Sequence, residues 1–339
     1  MTAVELLPAA EATPDNPRWH ELRRAGVTAS EVAALVGISP WDSAFSLYHR
    51  KANGWEVEDN EDLSNGRRCE PVIAEWWADT HPDAVVCPAG LYASQARPWQ
   101  LATPDRLVHM ACPCCDGSGG GCGCGGGFGI SLCVDCRGTG AGGPAHAVLE
   151  CKWTARWDGW GEPDTDEIPV YYRAQVLWQC DVLDVDEWHL AMLGPGGFRA
   201  YHGRRDEKDL RILRGAAAVH IAQRAAGTPP PIDDHPATAT ALKALHPSVE
   251  DFDVEVPVEL AEGYRRARAL RQRIERVVDG YEARIRAAIG SGRRAMCNGR
   301  LVASRSVYDQ SGDTAELTAL EDDWPVVDRL NPGRSATYA

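Results

Sequence analysis

Two short cysteine–glycine repeats constrain this chain more than any other feature. Cys112-Pro-Cys-Cys115-Asp-Gly-Ser-Gly119 and Cys133-Val-Asp-Cys136-Arg-Gly-Thr-Gly140 both read C-x-x-C-x-G-x-G. Paired C-x-x-C knuckles supply four thiolates, the donor set that suits tetrahedral Zn²⁺ in a closed structural site. The glycines let each loop turn back, so that backbone N–H groups face the sulfurs. Cys112, Cys115, Cys133 and Cys136 are therefore the candidate zinc ligands. Cys114, Cys122 and Cys124 fall outside the pattern, with no role fixed by it. An iron–sulfur cluster is the alternative occupant of such a block, and a metal-free Gly-Cys loop the bland one.

The block is too small to be the whole fold. The chain has 339 residues, enough for one large domain or two ordinary ones, and its 44% apolar content is ample for a core. Of 12 cysteines, those crowded between Cys112 and Cys136 read as metal ligands rather than disulfides in a reducing compartment. No apolar run reaches the roughly 18 residues that span a bilayer. The stretch Met1 to Asn16 has no basic patch followed by an apolar run, so no secretory signal is expected. A cytoplasmic protein without a membrane partner is the expectation. The net charge of −14 argues against a sequence-independent DNA coat. It is compatible with an enzyme that gathers carboxylates around a metal and grips DNA by a local basic strip.

The patterning divides the chain into a loose lead-in over 1–17, a main domain over 18–233 with the cysteine block inserted at 111–143, and a C-terminal extension over 234–339. Two short helices are expected between Trp19 and Val36, the second starting near Ser30 as a cap. Pro71 is placed as the first-turn proline of a helix reaching Thr80. Strand-like runs follow at Val85–Val86, Trp99–Ala102, Leu107–Met110 and Ala147–Trp153, then a helix over Val170–Val182 and a strand over Glu187–Leu193. This order predicts a mixed α/β core. In the extension, 259–289 reads as one long helix. Its Leu260, Tyr264, Ala267, Ile274, Val278, Tyr281, Ile285 and Ala288 follow 4-3 spacing, with Arg271 the one polar interruption, and are expected to dock inward on its own domain, with an intermolecular coiled coil as the alternative. Asn298-Gly299 predicts a hairpin turn. The last thirty residues give no clear signal.

The chemistry centres on Thr103-Pro-Asp105 and Glu150-Cys-Lys152. Residues i and i+2 of a strand share a face, so Glu150 and Lys152 project together. A neighbouring strand would bring Asp105 beside them. Two carboxylates facing one point bind a hard divalent cation such as Mg²⁺ through oxygen. A lysine in the same pocket can orient the attacking water and offset charge in a phosphoryl transition state. Alone, an E-x-K triplet is a common surface pair.

The surroundings make it more specific. Trp19-His-Glu-Leu-Arg23-Arg-Ala-Gly-Val-Thr-Ala-Ser30, Asn65-Gly66-Arg-Arg-Cys-Glu70-Pro, Ala102-Thr103-Pro-Asp105, Leu149-Glu150-Cys-Lys152 and Tyr172-Arg-Ala-Gln175-Val occur in this order. The set resembles the YqaJ-type viral recombinase family, that of the phage lambda exonuclease, within the PD-(D/E)xK nucleases; the cysteine repeats resemble the zinc repeats of DnaJ-type chaperones. The resemblance covers roughly Trp19 to Asp233. It implies a restriction-endonuclease-like fold, with a mixed central sheet flanked by helices, that digests linear double-stranded DNA from its ends, 5′ to 3′, in phage-type recombination. It implies Asp105 and Glu150 as ligands of catalytic Mg²⁺ (or Mn²⁺), Lys152 as catalytic lysine, Glu70 as an additional acid, and Gln175 and Tyr172 as helix residues facing the site. Arg23 and Ser30 would hold the terminal 5′-phosphate, and Thr103 keeps a hydroxyl where the lambda enzyme has serine. Partners implied are DNA ends, a single-strand annealing protein and further copies of the chain, in a bacterial host cytoplasm if phage-encoded. The acidic C-terminal extension has no counterpart in the ring-shaped lambda enzyme. The competing functions are a repair or sequence-specific endonuclease of related fold, and a zinc-containing DNA-binding protein with an inactive core.

Overall fold

The computed structural model describes residues 3–55, 59–120, 132–307 and 315–319. They fall into two compact units, 1–248 and 249–339. The first unit is α/β. Its main sheet has five strands in the order β3 (Ala84–Pro88), β6 (Arg106–Met110), β7 (Ala147–Trp153), β8 (Glu187–Gly194) and β9 (Gly197–Arg204). Only β7 and β8 run parallel. That connection is the crossover helix α5 (Val170–Leu183), as parallel neighbours require. A smaller sheet runs β1 (Ala3–Leu7), β4 (Leu91–Ser94), β5 (Gln100–Ala102), β2 (Val27–Thr28).

Helix α5 is buried continuously from Val176 to Leu183. Such an all-round apolar segment belongs in a core, and it packs with Trp188, Leu190, Met192 and Tyr201 of the main sheet. Its one buried charge, Asp181, is matched by Arg97 at 2.9 Å, Arg205 at 2.7 Å, Arg214, and Gln100 Nε2 at 2.6 Å. Burial raises the Asp181 carboxyl, but these donors overcome it and hold the group below the usual range. Helix α4 (Glu61–Thr80) supplies Ile73, Ala74 and Trp77 to a second core with Val108, Ala147, Leu149 and Ala191. The remaining helices of this unit are α1 (Pro17–Ala25), the single-turn α2 (Val32–Leu35), α3 (Ala44–Asn53), α6 (Glu207–Ala226) and α7 (Pro236–Leu245).

The structure departs from the sequence expectations in several places. Residues 3–7 are not part of a loose lead-in: β1 pairs with β4 and buries Leu7, which is 3% exposed. Pro71 does not start a helix but lies within α4, so Glu70 is a mid-helix residue. Ser30 is not a cap: α2 begins after Glu31, with no side-chain cap bond. The strands β4 and β9 had no distinct signature. The main unit extends past 233, because α7 docks on α3, where Ser43 and Thr238 hydroxyls meet at 2.6 Å in the interior.

In the second unit, α8 (Val258–Ile289) is followed by an antiparallel sheet of β10 (Arg294–Cys297), β11 (Arg300–Val307) and β12 (Ala315–Ala319). Asn298 and Gly299 have φ of 50° and 78°, the left-handed pair of a tight hairpin turn. The expected inward face of α8 is not covered: no residue of the helix is buried, and Leu260, Tyr264, Ile274, Val278 and Tyr281 are all exposed. No described helix is long and apolar enough to cross a membrane.

Candidate active site and cysteine module

Strand register assembles the centre. Arg106 of β6 pairs with Leu149 of β7, so the residue before it, Asp105, falls beside Glu150. Asp105 Oδ2 accepts the Cys151 N–H at 2.7 Å, which fixes that carboxylate against β7. Glu150, 2% exposed, is the hub. Its Oε1 accepts from Lys152 Nζ at 2.6 Å and Gln175 Nε2 at 2.5 Å, and its Oε2 from Gln179 Nε2 at 2.6 Å. The Tyr172 ring lies 5.0 Å from Lys152 Nζ. Residues 172, 175 and 179 share one face of α5 by 3- and 4-residue spacing. Gln179 was not foreseen, and its signal was that spacing from Gln175.

Burial, with the Glu150 charge beside it, pushes the Asp105 carboxyl well above the usual carboxylate range. Burial alone would lower Lys152, but Glu150 and Asp105 hold its ammonium above its ordinary value. A buried carboxylate and a half-buried one side by side, the second driven toward protonation by burial and then by its neighbour's charge, form a donor set that a divalent cation would relieve. The residues present thus fit a hard oxygen-binding ion. Glu70 stands at the edge, bonded to Arg106 at 2.7 Å; the same guanidinium donates to the Asp105 carbonyl at 2.6 Å. Thr103 Oγ1 is buried without a hydrogen-bond partner.

Arg23 of α1 and Ser30, just after β2, are brought together. Arg23 Nη2 donates to Ser30 Oγ at 3.4 Å, and its guanidinium stacks 4.2 Å from the Trp19 ring. Glu31 and Lys51 form a 2.8 Å ion pair beneath them. Burial would raise Glu31, yet Lys51, Arg23 and Arg50 hold it at about 2. Strand β2 pairs with β5, the strand that leads directly into Thr103-Pro-Asp105.

The cysteine module closes on itself by a repeated set of bonds. Cys112 N–H donates to the Gly140 carbonyl at 2.7 Å and Cys133 N–H to that of Gly119 at 2.8 Å. Gly119 N–H faces Cys115 Sγ at 3.3 Å and Gly140 N–H faces Cys136 Sγ at 3.2 Å. All four ligand sulfurs lie within 4.8 Å of one another and are buried. The Cys112–Cys133 and Cys115–Cys136 separations are 3.9 and 3.6 Å. A tetrahedron with Zn–S bonds of about 2.3 Å has edges of about 3.8 Å, so the four residues fit zinc. Cys114 packs against the cluster, whereas Cys122 and Cys124 lie outside the described residues. The module grows from the far end of the β6–β7 pair, sealed by an Ala111–Ala141 bridge. That end is about 17 Å from Asp105 at roughly 3.4 Å per residue of β6.

A mixed sheet flanked by helices, with two carboxylates and a lysine on adjoining strands, defines a restriction-endonuclease-like α/β domain. Residues 18–186 match the model of the YqaJ-like viral recombinase domain, and this part of the chain belongs to that family. Among solved structures the chain is similar to an alkaline exonuclease, LHK-Exo, from Laribacter hongkongensis, at 16% identity over 68% of this chain and 99% of that one, TM-score 0.42. LHK-Exo in complex with dAMP gives 15%, 68%, 99% and 0.43. A phage-related exonuclease from Haemophilus somnus gives 11% identity, 61% of this chain, 98% of that one and 0.40. No curated protein matches the chain significantly.

Proposed function

We propose that the protein is a metal-dependent exonuclease that digests linear double-stranded DNA, 5′ to 3′, as part of phage-type recombination. The observation that carries this reading is the Glu150 hub: a nearly inaccessible carboxylate bonded to Lys152, Gln175 and Gln179 and flanked by Asp105. So many donors on one buried group are hard to reconcile with an ordinary surface pair. Mg²⁺ or Mn²⁺ held by Asp105 and Glu150 would polarise the scissile phosphate and acidify its attacking water. The two glutamines fix the Glu150 carboxylate. Lys152, kept protonated, offsets charge accumulating on the phosphate oxygens as the P–O bond breaks. Arg23, a planar cation suited to bidentate phosphate contact, and Ser30 would hold the 5′-phosphate of the strand end. Zn²⁺ on Cys112, Cys115, Cys133 and Cys136 would be structural, since four protein ligands leave no open position.

The test is to incubate the full chain with Mg²⁺ and end-labelled linear or circular duplexes. Linear DNA should be consumed and closed circles spared, and Glu150→Gln or Lys152→Ala should cost at least about 100-fold in rate while circular dichroism shows the chain still folded. Cleavage of closed circles would favour an endonuclease, and wild-type rates in both variants would remove the assigned centre.

A further inference from the structure

Trp41 is the only predominantly exposed tryptophan among the described residues, at 62%. It stands beside the candidate centre. Its ring meets Tyr171 edge-on at 4.9 Å and lies 6.0 Å from Tyr172, the residue whose ring adjoins Lys152. The loop that carries it is braced rather than loose. Ser39 Oγ accepts the N–H groups of Trp41 and Asp42 at 3.2 and 3.1 Å. His235 Nε2 lies 3.1 Å from the Ser39 carbonyl. Asp42 is held by Arg50 at 2.6 Å and by the Ser46 hydroxyl at 2.9 Å. Arg50 in turn contributes to the cationic field around Glu31 and Arg23. The indole thus stands on a braced loop beside Tyr171 and Tyr172, next to the centre at Lys152, and the same loop is tied through Asp42 to Arg50, one of the cations around Glu31.

A large indole fixed in water gains nothing in the free protein and is preorganised for a flat, apolar partner. Beside a phosphodiester centre and a cationic cluster, the partner with both a planar face and a phosphate is a nucleotide. Aromatic residues stack on any base, because every base offers a π-face. We propose that Trp41, backed by Tyr171, is a stacking platform for an unpaired nucleobase at the end of the strand being cleaved, and so a positioning residue. This rests on the exonuclease reading for its substrate, but its test does not require cleavage.

The test measures binding of the full chain, by fluorescence anisotropy with Ca²⁺ in place of Mg²⁺, to duplexes whose 5′-terminal nucleotide is unpaired and either intact or abasic. Wild type should prefer the intact end. Trp41→Ala should weaken binding to it by about 5- to 150-fold, the range for one stacked base, and bind the abasic end as wild type does. Trp41→Phe should restore most of the preference and Trp41→Leu should not. In cleavage with Mg²⁺ the Ala variant should raise KM more than it lowers kcat. Equal binding of intact and abasic ends by wild type would overturn the platform, as would equal weakening of both by Trp41→Ala, or rescue by leucine. A wild type that discriminates the ends yet cleaves no duplex would leave the platform standing and remove the exonuclease reading instead.

Discussion

Glu150 shows how much one side chain depends on its neighbours. A carboxylate this buried is tolerated only when its oxygens are satisfied, and here three donors from β7 and α5 do so. The E-x-K spacing supplied one of those donors; the others come from a helix more than twenty residues later. Arg23 is a case of the same kind. Its contact with Ser30 was implied by resemblance, and the geometry adds Trp19 beneath the guanidinium. If this pair holds a terminal phosphate, Arg23→Ala removes a charge-assisted contact of about 1.5–3 kcal/mol. Digestion of 5′-phosphorylated ends should then slow by about 10- to 150-fold, with 5′-hydroxyl ends much less affected. Equal slowing on the two substrates, measured in parallel time courses, would make Arg23 a structural residue.

At the scale of elements, the cysteine module is the most self-specified part of the chain. Its two knuckles repeat the same left-handed positions, Asp116, Gly117 and Gly119 in one and Arg137, Gly138 and Gly140 in the other. Gly140 has φ of +78°, and a Cβ there would sit 2.2 Å from the Gly117 carbonyl oxygen. Gly140→Ala therefore combines an unfavourable backbone region, about 1–2 kcal/mol, with a clash that backbone movement alone relieves. We expect zinc content, by elemental analysis, to fall well below one ion per chain, with a lower melting temperature. Because the module hangs from the end of the β6–β7 pair away from Asp105, a substantial part of the cleavage rate should survive. A variant that keeps a full zinc complement at wild-type stability would show that the knuckle tolerates the strain. Helix α4 carries the opposite lesson. Pro71 looked like a start, but the preceding turns, capped by Asn60 through Leu63 N–H at 2.9 Å, continue through it. Packing of Ile73, Ala74 and Trp77 against the sheet outweighs one lost backbone bond.

At the scale of the molecule, the first unit is acid-sensitive by construction. His220 is 1% exposed with neither ring nitrogen bonded, and burial, aided by Lys51 and Arg224, holds it at about 4. Burial also lowers His189 to about 4, with His81, His202 and His146 adding to the effect. Both are bases depressed from about 6.5, so the unfolded chain takes up protons that the folded chain refuses. Their stabilising effect is complete above pH 6.5 and declines as pH falls toward 4, by up to about 3 kcal/mol for His220. Urea melts should show a lower midpoint at pH 5 than at pH 7.5, and His220→Leu should narrow that gap. An identical gap in the variant would place the acid sensitivity elsewhere.

What the sequence determined by itself was whatever depends on short-range pattern. The alternation of Ala147–Trp153, the knuckle spacing, the Asn298-Gly299 turn and the 32-residue α8 are legible because backbone periodicity and turn chemistry act within a few residues. The five motifs in order also pointed to the family. What only the tertiary structure decided depends on groups distant in the chain. Register placed Asp105 beside Glu150, and α5 crossing the sheet brought Gln179 to the same carboxylate. Pairing with β4 turned the first residues into a strand. The Ser43–Thr238 contact drew α7 into the main unit, and Trp41 acquired its place only because α5 presents Tyr171 and Tyr172 to its loop. In each case the deciding term is burial or hydrogen bonding between segments tens to hundreds of residues apart, which local propensity does not encode.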